Sequence, residues 1–421
     1  MQEMPLAYGS GTVNLAFAKE RFEVLSPNTV PRQPLSDLEI GLALDSPIES
    51  LPLEELLTPG ETVLIVTSDA TRATASAQLI NLLVRRIIQQ GISPADITII
   101  FANGIHRPTS AAEKQTLLTP FIVQRIKVID HNAFDEKQLT LLGETERGTL
   151  VELNRALTEF SRVILTGGIN FHYFAGFTGG RKSVCPGLAS ARSIEATHML
   201  ALDFNRGGRR SGVGIGMLEG NAVHEECERV AALVGPAFSI NAIVDERGRA
   251  TQVFAGNWRA AHRKACDQYL REHSTRIAER RDIVITSCGG YPYDINLIQA
   301  HKTLEMAAGA CKEGGTIVLL AECRDDLGSP DFLKWFDSKN AAALESRLRE
   351  SYEVNGQTAW SLLTKAERFR VVLVSQLADE VVTRMRMTPA RSLDDALKMV
   401  DGTAEGFVLP RGAALLPILQ R

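Results

Sequence analysis

The sequence predicts an α/β protein of two domains with parallel-type sheets and a ligand cleft between them. Three observations carry this. The chain has 421 residues, more than one hydrophobic core commonly supports. Short apolar runs alternate with helical stretches along most of it, the grammar of a helix-covered parallel sheet. Several of those runs also end in loops rich in glycine, histidine and charge, and ligands of open parallel sheets gather outside the carboxyl ends of strands.

Strands are predicted at Val63 to Thr67, Ile97 to Ala102, Ile126 to Asp130 and Val163 to Thr166, with helices around Ala77 to Gln90 and Ser110 to Leu118. Phe238 to Asp245 and Ala250 to Phe254 read as a hairpin through Glu246-Arg247-Gly248-Arg249. A helix follows over Trp258 to His273. The polar stretch Ser274 to Arg281 marks a domain boundary, giving a first domain over residues 1–275 and a second over 276–403. The second repeats the pattern. It has strands at Asp282 to Thr286, Thr316 to Ala321 and Arg370 to Ser375, and helices near Asn296 to Ala310, Ala341 to Ser351 and Leu393 to Met399. The apolar tail, residues 404–421, is expected to pack back on the first domain.

Composition excludes some functions. The net charge is −4, which argues against nucleic-acid binding because phosphate neutralisation needs a basic surplus. The N-terminus lacks a basic segment followed by an apolar run, and no stretch of about eighteen uncharged apolar residues occurs, so neither secretion nor membrane insertion is expected. Six scattered cysteines without a CxxC pair read as reduced thiols of a cytoplasmic protein.

The strand-end loops carry the chemistry. They are Ser68-Asp69-Ala70-Thr71-Arg72, Asn103 to Thr109 with His106, and Gly167 to His172 in the first domain, and Ser287 to Pro292 in the second. Glycine and Asp also make ordinary turns at such places. The densest segment is GGINFHYFAGFTGGRKSVCPGLASARSIEATH, Gly167 to His198. Gly176, Gly179 and Gly180 would let backbone N–H groups approach an anion. Arg181 adds charge and favours a neutral, nucleophilic amine on Lys182. Pro186 fits the start of a helix whose N-terminus would favour a phosphate. The loop is not a Walker motif, since Arg181 stands where the glycine before the lysine belongs. Of eight histidines, His131, His224, His262 and His273 read as surface or satisfied residues, and surface exposure is the plain reading of His301. His106, His172 and His198 sit in or near the chemical loops.

Taken together, these motifs resemble the nickel-dependent lactate racemase family. The resemblance rests on Asp69-x-Thr71-Arg72, Gly104 to Thr109, His172 to Ser183, His198, Gly290-Tyr291-Pro292 and Gln299-Ala300-His301-Lys302, in that order. It implies a site between two α/β domains and a covalent cofactor on Lys182. That cofactor is pyridinium-3-thioamide-5-thiocarboxylic acid mononucleotide, which grips nickel as a pincer. It further implies that His198 ligates nickel, that the glycine loop and Arg181 hold the nucleotide phosphate, and that separate biosynthetic proteins load the cofactor.

The implied reaction inverts the hydroxyl-bearing carbon of a small 2-hydroxy acid. Its carbon-bound hydrogen leaves as hydride while a base takes the hydroxyl proton, and a cofactor must accept the hydride. His106 and His172 are the candidate bases. Arg72 and Lys302 are candidates for the carboxylate. Gln299 shares a helix face with Lys302, and Asp69 would orient a base or Arg72. Trp360 could wall the pocket. Ala70 and Ile298 depart from the lactate-specific pattern, so larger hydroxy acids, including sugar acids, are within the expected range. Two other readings stay open: a nucleotide- or phosphate-dependent transferase using the glycine-rich lysine loop, and a non-catalytic relative that binds a hydroxy acid or metal.

Overall fold

A computed structural model describes residues 2–27 and 32–420. The chain packs as two units. One takes the described residues of Met1–Thr29 with Asp203–Gly208 and Arg271–Arg421, and the other takes those of Val30–Leu202 with Arg209–Leu270.

In chain order the first elements are an antiparallel hairpin, β1 (Gln2–Tyr8) and β2 (Gly11–Phe17), and a short strand β3 (Phe22–Val24). Next come α1 (Asp37–Asp45), β4 (Val63–Thr67), α2 (Ser76–Gln89), β5 (Ile97–Phe101), α3 (Ala111–Arg125) and β6 (Lys127–Asp130). A hairpin β7 (Leu139–Glu144) and β8 (Leu150–Asn154), a turn of helix α4 (Ala156–Glu159) and β9 (Arg162–Gly168) lead into a miniature hairpin, β10 (Phe171–His172) and β11 (Gly176–Phe177). Then follow α5 (Ala191–Met199), α6 (Ala222–Val234), β12 (Phe238–Val244), β13 (Ala250–Gly256) and α7 (Trp258–His273). The remainder comprises β14 (Ser274–Ile277), β15 (Arg281–Ser287), α8 (Leu297–Ala310), β16 (Cys311–Leu320), α9 (Ala341–Glu350), α10 (Val354–Arg368), β17 (Arg370–Val374), α11 (Asp379–Arg384), β18 (Thr388–Ala390), α12 (Leu393–Lys398), β19 (Gly406–Leu409) and β20 (Leu416–Leu419).

The unit holding the lysine loop is built on a six-stranded sheet of order β13-β12-β9-β4-β5-β6. All neighbours are parallel except the β12–β13 hairpin edge. Every residue of β4 and β5 is buried, as expected of inner parallel strands covered on both faces. From β4 the chain adds β5 and β6 on one side, then β9 and β12 on the other. The order therefore reverses between β4 and β9, and the crevice outside the carboxyl ends of those strands is where such sheets bind ligands. The loops that leave there begin at Ser68 and Ile169.

The other unit has a wholly parallel sheet of order β18-β17-β16-β15-β19-β3. The order reverses between β15 and β19, and α8 follows β15. A small parallel pair, β14 with β20, flanks it.

Two segments go elsewhere than the sequence suggested. The tail groups with the other unit. Gly406–Leu409 is an inner strand between β15 and β3, buried along its whole length. Val408 of this strand joins the apolar core of the unit. The N-terminal strands belong to the same unit, with Leu6, Leu15, Phe17 and Phe22 in its core. The crossing at Leu270/Arg271 lies inside the predicted helix, slightly before the expected boundary.

Deleting residues 404–421 should therefore unfold this unit while leaving the other intact. Hydrogen exchange checks it: the amides of Ile283–Ser287 should lose protection and those of Val63–Thr67 keep it.

Candidate active site

Loop geometry begins with Asp69. Its Oδ1 accepts from the Thr71 backbone N–H at 3.0 Å and from the Thr71 hydroxyl at 2.6 Å, an Asx turn that fixes the carboxylate. Its Oδ2 lies 2.7 Å from Nδ1 of His106, on the neighbouring strand-end loop. Burial alone would raise the Asp69 carboxyl, but the His106 ring, the Thr71 hydroxyl and the Arg72 charge hold it well below the usual range. An ionised Asp69 accepts a hydrogen bond from the Nδ1–H of the His106 ring. The lone pair then sits on Nε2 of a side chain 38% exposed, the pairing that orients a general base.

The second group gathers around Phe174, in the tight turn of the β10–β11 hairpin. The Phe174 ring lies 4.5 Å from that of His172 and 4.9 Å from that of His198. The Lys182 Nζ stands 5.4 Å from its centroid. His172 is buried, and its Nδ1 accepts from the backbone N–H groups of Ala175 at 3.3 Å and Phe174 at 3.5 Å. Its ring proton is therefore on Nε2, and base action at Nδ1 requires release of these two long contacts.

His198, in the last turn of α5, is also buried. Burial, with the Lys182 charge adding, lowers its pKa to about 3, so the ring is neutral near pH 7. Its Nδ1 lies 3.4 Å from the Thr197 hydroxyl, whose own proton goes to the Ile194 carbonyl at 2.9 Å. Nδ1 thus carries the ring proton and Nε2 the lone pair, the state in which an imidazole ligates a metal. Among the described residues no group of three or more His, Cys, Asp and Glu converges as a metal site.

Lys182 is half-buried at the end of the glycine loop. Burial lowers its amine to a pKa of about 7; the Arg181 and Arg72 charges act the same way, against the nearby Cys227 and Cys185 thiols. An amine of this kind is substantially unprotonated at neutral pH, which an attacking amine needs.

The glycines and Arg181 do not form the open anion cradle that the sequence suggested. The Gly180 N–H donates to Asn241 Oδ1 at 2.9 Å, and a Cβ there would fall 2.6 Å from the His262 ring. A Cβ on Gly176 would meet the Met217 carbonyl at 2.1 Å. These residues are glycine so that protein can approach them. Arg181 is 1% exposed. Its guanidinium points inward, donating to the Ala175 carbonyl at 2.8 Å, the Gly179 carbonyl at 3.3 Å and His262 Nε2 at 2.9 Å. Nor does a helix start at Pro186. Residues Gly180–Ser183 form a 3-10 turn, and α5 begins at Ala191 with its first turn capped by the Ser190 side chain.

The remaining predicted residues lie on the other unit. Asn296 caps α8 by accepting from the Gln299 N–H at 3.0 Å. Gln299 is buried, and its Oε1 accepts from Lys302 Nζ at 2.5 Å. Trp360 is buried on α10. His301 is 2% exposed rather than on the surface, because α8 is covered on most sides. His131, His224 and His262 are buried as well; His131 lies 3.0 Å from both the Ala189 carbonyl and the Asn154 side-chain amide. The role of Phe174 was not foreseen. The aromatic run Phe171, Tyr173, Phe174 and Phe177 was its signal.

A low-pKa amine, an Asp-oriented imidazole and two further imidazoles near the Phe174 ring are groups capable of acid–base and nucleophilic chemistry. Comparison with known proteins gives the family. Residues 8–208 match the lactate racemase N-terminal domain, and residues 277–414 the lactate racemase C-terminal domain. The lactate racemase of Thermoanaerobacterium thermosaccharolyticum is 31% identical over 99% of each chain. That of Lactiplantibacillus plantarum is 32% identical over 99% of this chain and 100% of its own. The structure of the former's apoprotein aligns with a TM-score of 0.88 at 29% identity, covering 99% of this chain and 100% of that one. A Thermotoga maritima crystal structure, 19% identical, shares the fold with a TM-score of 0.73 over 93% of this chain and 100% of its own. The protein is an isomerase of two α/β units with parallel sheets. It belongs to the lactate racemase family. No helix among the described residues is long and apolar enough to cross a membrane.

Two measurements check the geometry. Gly180→Ala should lower stability by about 2 kcal/mol or more in urea unfolding, since the position combines a φ of +52° with the His262 contact. In the apoprotein, the rate at which an acylating reagent labels Lys182 should rise with a midpoint near pH 7, as the amine loses its proton, while exposed lysines titrate near 10; peptide mass spectrometry separates them.

Proposed function

We propose that the protein is a racemase or epimerase that inverts the hydroxyl-bearing carbon of a small 2-hydroxy acid, using a nickel pincer nucleotide joined to Lys182. The observation that carries this is the low-pKa Lys182 amine sharing the Phe174 ring with the neutral, buried His198. The Lys182 amine and the His198 imidazole fit the group's point of attachment and its metal. An amine largely unprotonated at neutral pH can form the covalent link. A single imidazole with a free Nε2 lone pair suits nickel, and a metal held by one protein donor takes its other donors from the attached nucleotide. When bound, that group supplies the hydride acceptor that side chains lack.

The chain's own residues do the rest. His106, aligned by ionised Asp69, takes the substrate hydroxyl proton at Nε2. His172 serves the opposite enantiomer, releasing its two backbone contacts to accept a proton. Arg72 supplies charge for the carboxylate. On chemistry alone, Lys302 and Gln299 of the other unit are assigned to the same group. Each enantiomer uses one imidazole to remove the hydroxyl proton and the other to return it. The relatives are named for lactate. In this chain Ala70 and Ile298 leave the side chain of the acid open, so larger hydroxy acids and sugar acids belong in the same test.

Protein produced together with the cofactor-making enzymes should interconvert the enantiomers of one member of a chiral hydroxy-acid panel. It should also carry an intact-mass increase and about one nickel per chain. Lys182→Ala should lose the mass increase, and His198→Ala should lose most nickel while His106→Ala retains it. An adduct that survives in Lys182→Ala would remove the tether, and nucleotide hydrolysis without nickel would favour a transferase instead.

A further inference from the structure

Asn221 stands between α6 and the turn that carries Phe174, fully enclosed by protein. Its Oδ1 caps α6, accepting from the backbone N–H groups of Val223 at 3.1 Å and His224 at 3.2 Å. Its Nδ2 donates on the other side, to the Phe174 carbonyl at 2.8 Å and the Met217 carbonyl at 3.0 Å. Two N–H groups face the oxygen and two carbonyls face the nitrogen. Every hydrogen-bonding position of the amide is therefore used, and the opposite orientation would lose them all. Capping alone asks for less, since Ser or Asp fills such a position as well. The two donors call for another reason.

The Phe174 carbonyl supplies one. It shares a planar trans peptide with the Ala175 N–H, and in such a unit the two point in opposite directions. The Ala175 N–H donates to Nδ1 of His172 at 3.3 Å, the shorter of the two contacts made there; that of Phe174 is at 3.5 Å. A bond made at the oxygen end of this peptide thus sets the nitrogen end that meets the imidazole. The peptide behind the longer contact ends in the Tyr173 carbonyl, which accepts from Arg209 at 3.1 Å. The peptide behind the shorter one is gripped by Asn221.

We propose that Asn221 is a positioning residue for His172: by gripping the Phe174 carbonyl, its side-chain amide fixes the Ala175 N–H across one peptide, and with it the orientation of the imidazole and the ring nitrogen that carries the proton. This rests on the reading of His172 as a base given above. The grip is anchored on α6, a helix of 13 residues, so the ring is referenced to a rigid element rather than to its own hairpin turn alone. Without the two donors the peptide turns. Nδ1 then loses its shorter contact, and either ring nitrogen takes the proton.

The test begins with full-length apoprotein carrying isotope-labelled histidine, read by nitrogen NMR under mildly alkaline conditions where imidazoles are neutral. The His172 signals, assigned by their absence in His172→Gln, should report a single tautomer protonated at Nε2. Asn221→Asp keeps an oxygen for the α6 cap and removes both donors; Asn221→Ser keeps one on a side chain one atom shorter. Both should show His172 as a mixture of tautomers, while the Val223 and His224 amides keep their protection from hydrogen exchange. In cofactor-loaded enzyme, counted per bound nickel, both should lower kcat about tenfold with KM changed much less. Should one variant not fold, the other carries the same prediction. An unshifted tautomer overturns the proposal. So does a mixture accompanied by lost protection at Val223 and His224, which would mean a melted helix end, and so does a normal kcat beside a shifted tautomer. If His172→Gln itself turns over normally, the role of His172 as a base is wrong and the proposal falls with it. That outcome is distinct from an unshifted tautomer beside an impaired His172→Gln.

Discussion

The arrangement around Lys182 depends on a guanidinium buried without an anionic hydrogen-bond partner of its own in this network. Arg181 joins the carbonyls on either side of β11, those of Ala175 and Gly179, and reaches His262 on α7. Enclosing such a charge costs several kcal/mol before its hydrogen bonds are counted. In return, three stretches of chain are held in one place. The β10–β11 turn puts Phe174 beside His172 and His198. The 3-10 turn that follows directs Lys182 to the same ring. The same charge, one residue away, helps to hold the amine near neutrality. The residue that shapes the loop therefore also tunes it.

The sheet supplies the second constraint. Parallel strands place all their carboxyl ends on one side. The reversal between β4 and β9 opens a space there that two loops must share. Asp69 and Arg72 leave from one of these strands and the lysine loop from the other, with His106 on the next strand outward. Neither loop alone holds a complete set. Asp69 needs His106 to stay ionised in a dry setting, and the low-pKa amine owes part of its state to Arg72. The chemistry is thus a property of strand order as much as of any motif.

Much of this was legible in the chain. The inner strands of the lysine-loop unit appeared as unbroken apolar runs, because both of their faces are covered. The histidines and acids stood out because they followed those runs. What escaped was information carried by contacts distant in sequence. Gly176 and Gly180 looked like a phosphate loop, since a glycine that admits an anion and one that admits a carbonyl or an imidazole read alike. Arg181 looked like a ligand for the same reason. The strands β1 to β3 were missed because their pairing partners are a tight hairpin and a strand nearly four hundred residues away. The ion pair of Glu305 on α8 with Lys365 on α10 could not be read from spacing, for β16 and α9 lie between them.

The pairing of β3 with β19 also bears on how the protein is made. Phe22–Val24 leaves the ribosome long before its neighbour Gly406–Leu409. The lysine-loop unit has all its strands by Gly256 and can condense during translation, as domains generally do. Strand β3 must meanwhile wait, an orphan edge with apolar Phe17 and Phe22 uncovered, until β19 emerges. Vectorial synthesis thus finishes the amine-bearing half well before the half that carries Lys302, and chaperones have a defined early segment to shield.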